Sequence, residues 1–326
     1  HLRTATRVLL RLGEFHAVSF PEFRRKAGLL PWESYLAAQR PIAFRVSCHK
    51  SRLYHSGAVA ERLAGAIADR LGRSPVVQAF RDSHDPHPPQ LIIARLVRDH
   101  CTISLDTSGT ALFRRGYRQA TAKAPLRETL AAALLMLSGW DRRSPLMDPF
   151  CGSGTIVIEA ALLARNRAPG LSRRFAFMDW PDFEASLWRR LVDEARKQEI
   201  PEAPPILASD KHPGALRAAR ANADRAGVGE DIEFARRPVS AVQPPPEPGW
   251  VVSNLPYGIR TRSDADLRQV YVQFGRVLRE RFPGWRVTVL AGKRHLLRCA
   301  GAPLQEHGWI NNGGVRVLLA QGTVSR

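Results

Sequence analysis

The chain is 326 residues long, 44% apolar, and carries 49 Lys and Arg against 30 Asp and Glu, for a formal net charge of +19. That length and apolar content suffice for two packed domains, and no run of 18 or more apolar residues suggests a membrane span. The excess positive charge calls for a polyanionic partner, nucleic acid before membrane, because no basic amphipathic anchor is evident.

Only six of the basic residues are lysine. Genomic composition could bias arginine usage in this way, yet the acidic residues do not rise to match, so the charge still needs a use. Four cysteines (Cys48, Cys101, Cys151, Cys299) are scattered without a C-x-x-C pair, so no metal site is expected and the setting is read as reduced and cytoplasmic. The chain begins at His1 with no basic-plus-apolar leader. The expectation is therefore no signal peptide and a shortened amino-terminal domain.

In chain order, "AFRVSCHK" alternates like a strand, and Gly57–Gly72 is an amphipathic helix ending at glycine. "QLIIARLVRDH" and "CTISLDTSG" read as consecutive strands. Before them lies "RDSHDPHPPQ", a turn-rich loop whose His84 and His87 read as solvated surface rather than metal ligands. "LFRRGYRQATAK" is basic with interleaved aromatics, which suggests a nucleic-acid contact, and Leu126–Gly139 is an apolar helix that must be buried.

From Ser144 onward strand and helix alternate: "PLMDPF", "PPILASD", "DIEFA", "GWVVSN", "WRVTVLAG" and "GVRVLLAQG" are the strands. This pattern predicts an α/β fold with a doubly wound, mostly parallel sheet and a ligand at the carboxyl ends of its strands. Residues 165–205 read as a long insertion carrying "FAFMDWPDFEASLW". The expected layout is a domain over 1–108, a linker over 109–124 and a second domain over 125–326.

"LMDPFCGSGTIVIEAALLA" is strand, glycine turn and helix, a place where backbone N–H groups meet a ligand. A dinucleotide site would need a third glycine and an acid about 20 residues on. Here Thr155, Ile156 and Val157 follow Gly154, and the next strand-end acid, Asp210, lies much further along. Asp148, just before the turn, would repel a pyrophosphate and suits a cation. S-adenosylmethionine, with its ammonium and sulfonium, fits better, and Asp210 is placed to accept from its ribose hydroxyls. Taken alone, Asp210 reads equally well as a cap of the following helix. Cys151 reads as a small residue in a tight turn rather than a nucleophile.

"VVSNLPYG" supplies the other half of the chemistry. An exocyclic amine on a base has its lone pair conjugated into the ring. Two acceptors, the Asn254 side-chain oxygen and the Leu255 carbonyl, could bind its hydrogens and direct the lone pair at a methyl donor. Pro256 stiffens the turn, and Tyr257 could stack on a flipped base. An ordinary Asn-x-Pro turn is the plainer reading.

In this order "DPFCGSGT", "SD" and "NLPYG" resemble a class I S-adenosylmethionine-dependent methyltransferase of the amino-methylating branch. Over nearly the whole chain, "FRVSCHKSRLYHSGAV", "LDTSGTALFRRGYR", "APLRETLAAALLMLSGW" and "FCGSGTIVIEAALLARNRAPGLSRRFAFMDW" resemble the THUMP-domain RNA guanine-N2 methyltransferases, especially the group acting on large-subunit rRNA. The resemblance implies a THUMP-type RNA-binding domain before a Rossmann-like class I methyltransferase domain. Asp148, Phe150, Gly152, Gly154, Thr155 and Asp210 are then expected to hold the cofactor, and the "APLRET" segment brings Arg127 and Glu128 over its methionine end. Two departures stand out: Leu255 occupies the place of a second proline, and "RRPVS" after "DIEFA" lacks the acid many relatives place near the adenine. Open alternatives are a tRNA substrate, adenine N6 as the acceptor, and a silent RNA-binding fold.

Overall fold

A computed structural model describes residues 1–81, 87–119, 126–257 and 264–325. The expectations resting on His84, on residues 120–125 and on Gly258 lie outside the described residues. The chain folds into two compact units, one made of Ala5–Leu112 with Arg173–Val192 and the other of His1–Thr4, Phe113–Ser172 and Asp193–Arg326.

The first unit holds β1 (Leu9–His16), α1 (Phe20–Gly28), β2 (Ile42–His49), α2 (Ser56–Leu71), β3 (Gln90–Val97) and β4 (His100–Asp106). Its sheet runs β1-β4-β3-β2, with β2 and β3 parallel and the other pairs antiparallel. Phe23 of α1 and Val59, Leu63 and Ile67 of α2 pack with Ile92, Leu96 and Ile103 into one core. Alternation along the strands sends Arg45, Ser47 and His49 of β2 and Arg95 of β3 away from it, and Arg45, Ser47, His49 and Arg95 are exposed. Arg173–Val192 contributes an aromatic cluster to this unit. Phe177 packs on Phe175, Phe183 and Trp188, and Trp180 meets Tyr35 edge-on at 5.0 Å between centroids. Trp180 Nε1–H donates to Gln90 Oε1 at 2.9 Å. Reading 165–205 only as an insertion did not foresee this, because its aromatics find partners over 80 positions upstream in the chain.

The second unit is a layered α/β fold. Its elements are α3 (Glu128–Leu137), β5 (Leu146–Asp148), α4 (Thr155–Ala164), α5 (Ala185–Lys197, begun in the first unit), β6 (Ile206–Asp210), α6 (Pro213–Ala226), β7 (Ile232–Arg236), β8 (Trp250–Asn254), α7 (Asp264–Arg281), β9 (Arg286–Ala291), α8 (Arg294–Cys299), β10 (Gln305–Asn312) and β11 (Val315–Thr323). The sheet order is β10-β11-β9-β8-β5-β6-β7. The five strands from β9 to β7 are parallel, and β11 and β10 close one edge antiparallel, so the mostly parallel sheet expected from the alternation is present.

Successive strand residues feed two cores, as the two-residue period of a strand requires. Leu146 and Val252 join α3, α4 and α6 on one face, whereas Met147 and Val251 join α7 and α8 on the other. The chain leaves β5 for β6 and β7, then returns to pair β8 on the other side of β5. That reversal opens a crevice at the carboxyl ends of β5, β6 and β8, where doubly wound sheets bind ligands. No helix among the described residues is long and apolar enough to cross a membrane.

Candidate active site

Asp148, Asp210 and Asn254 are the last residues of β5, β6 and β8, three neighbouring strands, so the sheet brings the motifs together. The glycine turn follows β5. Gly152 and Gly154 have φ of +54° and +85°, in the left-handed region that side chains resist. A Cβ on Gly154 would also meet the Ala219 Cβ at 3.0 Å, so glycine lets α4 and α6 approach. The turn is fastened from three directions. Cys151 N–H donates to Ser209 O at 3.0 Å, Asn222 Nδ2 of α6 donates to Ser153 O at 3.0 Å, and Gly152 N–H donates to Asp210 Oδ2 at 3.1 Å.

Asp210 therefore does not cap α6, whose cap residue is His212. Its Oδ1 accepts from His212 N–H at 2.8 Å, and with Oδ2 on Gly152 it ties the turn to the start of α6 while still lining the crevice. Asp148 is more withdrawn, at 1% exposure. Its Oδ1 accepts from Phe150 N–H at 3.1 Å and from the Ser253 hydroxyl at 2.6 Å. Burial pushes its carboxyl up to about 7, the Ser253 and Phe150 hydrogen bonds oppose that rise, and the charge of Asp210 adds to it. Burial likewise pushes the Cys151 thiol well up, which keeps it protonated and unsuited to attack.

The crevice is a cleft of ≈ 230 Å³ lined by Pro149, Phe150, Asp210, Arg237, Val239, Asn254 and Pro256 among others. Phe150 is held edge-on against Phe274 of α7 at 5.7 Å between centroids. Asn254 lines the cleft, and its Oδ1 is buried with no hydrogen-bond partner among the described residues, an acceptor left unused by the protein. Leu255 is anchored by its N–H to Leu290 O at 2.9 Å. The Tyr257 hydroxyl accepts from Asn312 Nδ2 at 3.2 Å, and a Cβ on Gly292 would come within 2.2 Å of the Tyr257 Cβ. Arg237 lines the cleft beside the end of β7, at the place where "RRPVS" lacks an acid.

Other candidates sit elsewhere in this unit. Glu128, at the start of α3, is buried and 2.8 Å from Arg118, and burial pushes its carboxyl up to about 7 against the pull of that guanidinium. Arg127 stacks over Phe113 at 4.8 Å. Neither they nor Gly152, Gly154 and Thr155 are among the residues lining the cleft.

For Arg115, Tyr117 and Arg118 the structure corrects the reading of "LFRRGYRQATAK" as a nucleic-acid contact. Arg115 is 3% exposed and pairs with Glu159 of α4 at 3.3 Å, and the Tyr117 hydroxyl donates to the same carboxylate at 3.1 Å. Arg115 Nη2 also donates to Arg3 O at 2.6 Å, and Arg118 reaches Leu126 O and Glu128. These cations serve buried carboxylates, and the acid that captures Arg115 lies 44 positions away. Sequence reasoning also missed Ser253, Asn222, Gly292 and Asn312. Ser253 does adjoin Asn254 in the motif, which was a usable signal; the other three offered none.

Residues 115–318 match the UPF0020 family, described as RMKL-like, methyltransferase domain. Slr0064 of Synechocystis sp., named as an RNA methyltransferase, is 34% identical over 97% of this chain and 83% of its own length. The ribosomal RNA large subunit methyltransferase K/L of Syntrophotalea carbinolica is 35% identical over 97% of this chain, which spans 46% of that relative. The crystal structure of SMU.472, a complex with SAH, is 29% identical with a TM-score of 0.83, over 98% of this chain and 84% of that one. With Phe150, Asp210, Asn254 and Pro256 lining one crevice at the strand ends, the chain belongs to the UPF0020, RMKL-like family of S-adenosylmethionine-dependent methyltransferase domains.

Proposed function

We propose that the chain methylates RNA, transferring a methyl group to the exocyclic N2 amine of a guanosine in large-subunit rRNA. The names of the two relatives and the net charge of +19 support RNA as the substrate. The observation that carries the chemistry is the unpartnered, buried Asn254 Oδ1 beside the cleft. Residues 1–108 are proposed as a THUMP-type RNA-binding domain joined through 109–124 to a catalytic domain over 125–326, acting in the cytoplasm.

The cleft suits S-adenosylmethionine. Phe150, Pro238 and Val239 offer an apolar wall for a purine and Asp210 a carboxylate for ribose hydroxyls, while beneath the turn Asp148, its pKa raised to about 7, would be drawn to its ionised form by a cationic ligand. Bound there, the cofactor supplies a methyl on a positive sulfonium, a good leaving group. Asn254 Oδ1 and the Leu255 carbonyl would accept hydrogen bonds from the target amine, whose surplus proton would pass to solvent after methylation, while Pro256 fixes the turn and Tyr257 would stack on the base. Orientation and electrostatics then carry most of the rate.

Labelled S-adenosylmethionine with total RNA from cells lacking the protein tests this reading. Label in large-subunit rRNA that digests to N2-methylguanosine is expected. Methyladenosine would replace the acceptor, and label in tRNA would replace the partner. Absence of both label and cofactor binding would leave a silent RNA-binding fold. Asn254→Ala should abolish turnover and spare cofactor binding, and retained turnover would remove the acceptor role.

A further inference from the structure

We infer that Tyr54 is a stacking platform for an unpaired RNA base, set among cations at one end of the first unit's sheet; this rests on the reading of the protein as an RNA methyltransferase. Tyr54 is 80% exposed, the most exposed large hydrophobic side chain among the described residues. Its loop is nevertheless fixed on both sides. Leu53 is buried in the core, and His55 Nδ1 accepts from Ala58 N–H at 3.1 Å as the cap of α2. Arg52 N–H donates to Asp99 Oδ1 at 2.6 Å, Asp99 N–H to Ser51 Oγ at 3.0 Å, and Arg98 N–H to His49 O at 3.1 Å. An aromatic ring left in water on a fastened loop loses little entropy when it binds, so it suits recognition rather than folding.

The surroundings fit a polyanion. Lys50, Arg52 and Arg98 lie on the two interlocked turns, and Arg45, His49 and Arg95 continue along the exposed face. His100 of β4 and His16 of β1 stand opposite one another in register at the same end. The acids nearby include Glu14, which is paired with Arg11, Glu22, which lies near His16 and is paired with Lys26, and Asp99, whose carboxylate accepts the Arg52 N–H. Of five non-glycine residues with positive φ among the described residues, Lys50, Arg98 and Asp99 lie here, the last two as the central residues of the two-residue hairpin turn from β3 to β4, which fixes the backbone that presents these cations. Bases stack on an aromatic ring whatever their identity, while phosphates take the cations, so the chemistry is that of single-stranded or bulged RNA.

The test uses the whole chain and two fluorescein-labelled RNA hairpins, identical except that one carries an unpaired purine bulge. Tyr54→Ala should weaken binding of the bulged hairpin about tenfold or more and leave the unbulged one nearly unchanged, while Tyr54→Phe retains affinity. Lys50→Ala with Arg98→Ala should weaken both hairpins and lower the salt dependence of binding. Equal affinity of wild type and Tyr54→Ala for the bulged hairpin overturns the platform, even if the wild-type chain methylates RNA. Loss of bulge preference in Tyr54→Ala, from a chain that methylates no RNA, supports the platform and sinks the methyltransferase reading alone.

Discussion

The Ser253 hydroxyl donates to Asp148 Oδ1 at 2.6 Å, tying the end of β8 to the end of β5 beneath the glycine turn. This one bond links the strand that carries Asn254 to the strand that starts the turn. It also favours the ionised form of a carboxyl whose pKa burial drives up to about 7.

Ser253→Ala should therefore raise the Asp148 pKa further and leave a buried carboxyl without its hydroxyl donor. A stability loss of about 1–3 kcal/mol is expected from such an orphaned group. Urea unfolding of wild type and variant at pH 7 measures it, and a change below about 0.5 kcal/mol would show that the bond is not worth making.

Asp148 also predicts a pH dependence. An acid with a folded pKa above its unfolded value of about 3.9 favours the folded state fully below about pH 4. The folded pKa is about 7, so that contribution is lost as pH rises from about 4 to 7. Asp148→Asn mimics the neutral acid. Its stability relative to wild type should climb by up to about 1.4 kcal/mol per pH unit across that window. A difference that stays flat with pH would refute the assignment.

Tyr257 rests on Gly292 and Asn312, so Gly292→Ala should displace the ring, because the new Cβ would come within 2.2 Å of the Tyr257 Cβ. We expect kcat to fall about 100-fold, as for a reacting group moved by about 1 Å. Asn312→Ala removes one hydrogen bond to the Tyr257 hydroxyl and should cost about fivefold. Calorimetry should show S-adenosylmethionine binding unchanged in both; lost binding would assign these residues to the cofactor.

Arg115 neutralises a carboxylate at 0% exposure. Arg115→Ala should cost about 3–5 kcal/mol by stranding the Glu159 charge, and a double replacement of Arg115 and Glu159 by methionine should restore much of it. RNA affinity of the folded double variant should match wild type. A tenfold loss would reinstate Arg115 as a nucleic-acid contact.

The alternation of strand and helix after Ser144 was readable because it is local. Leu146 and Met147, or Val251 and Val252, are apolar on both faces, as strands covered on two sides must be. Strand β10 escaped notice because "QEHGWINN" lies at the sheet edge with most of its residues exposed, so no periodic pattern marks it. That edge supplies Asn312, so one support of Tyr257 was hidden with it.

The sequence by itself determined the order of the motifs, the glycines that a left-handed turn requires at Gly152 and Gly154, and the strand ends that carry Asp148, Asp210 and Asn254. Each follows from neighbours a few positions apart. Only the tertiary structure decided which cations face water. Arg115 and Arg118 look like Lys50, Arg52 and Arg98 in composition, yet the first two are drawn inward by Glu159 and Glu128, while Lys50 and Arg52 stand exposed on a turn locked to the one bearing Arg98. Charge is written in the chain; its burial depends on which carboxylate the fold brings within about 3 Å.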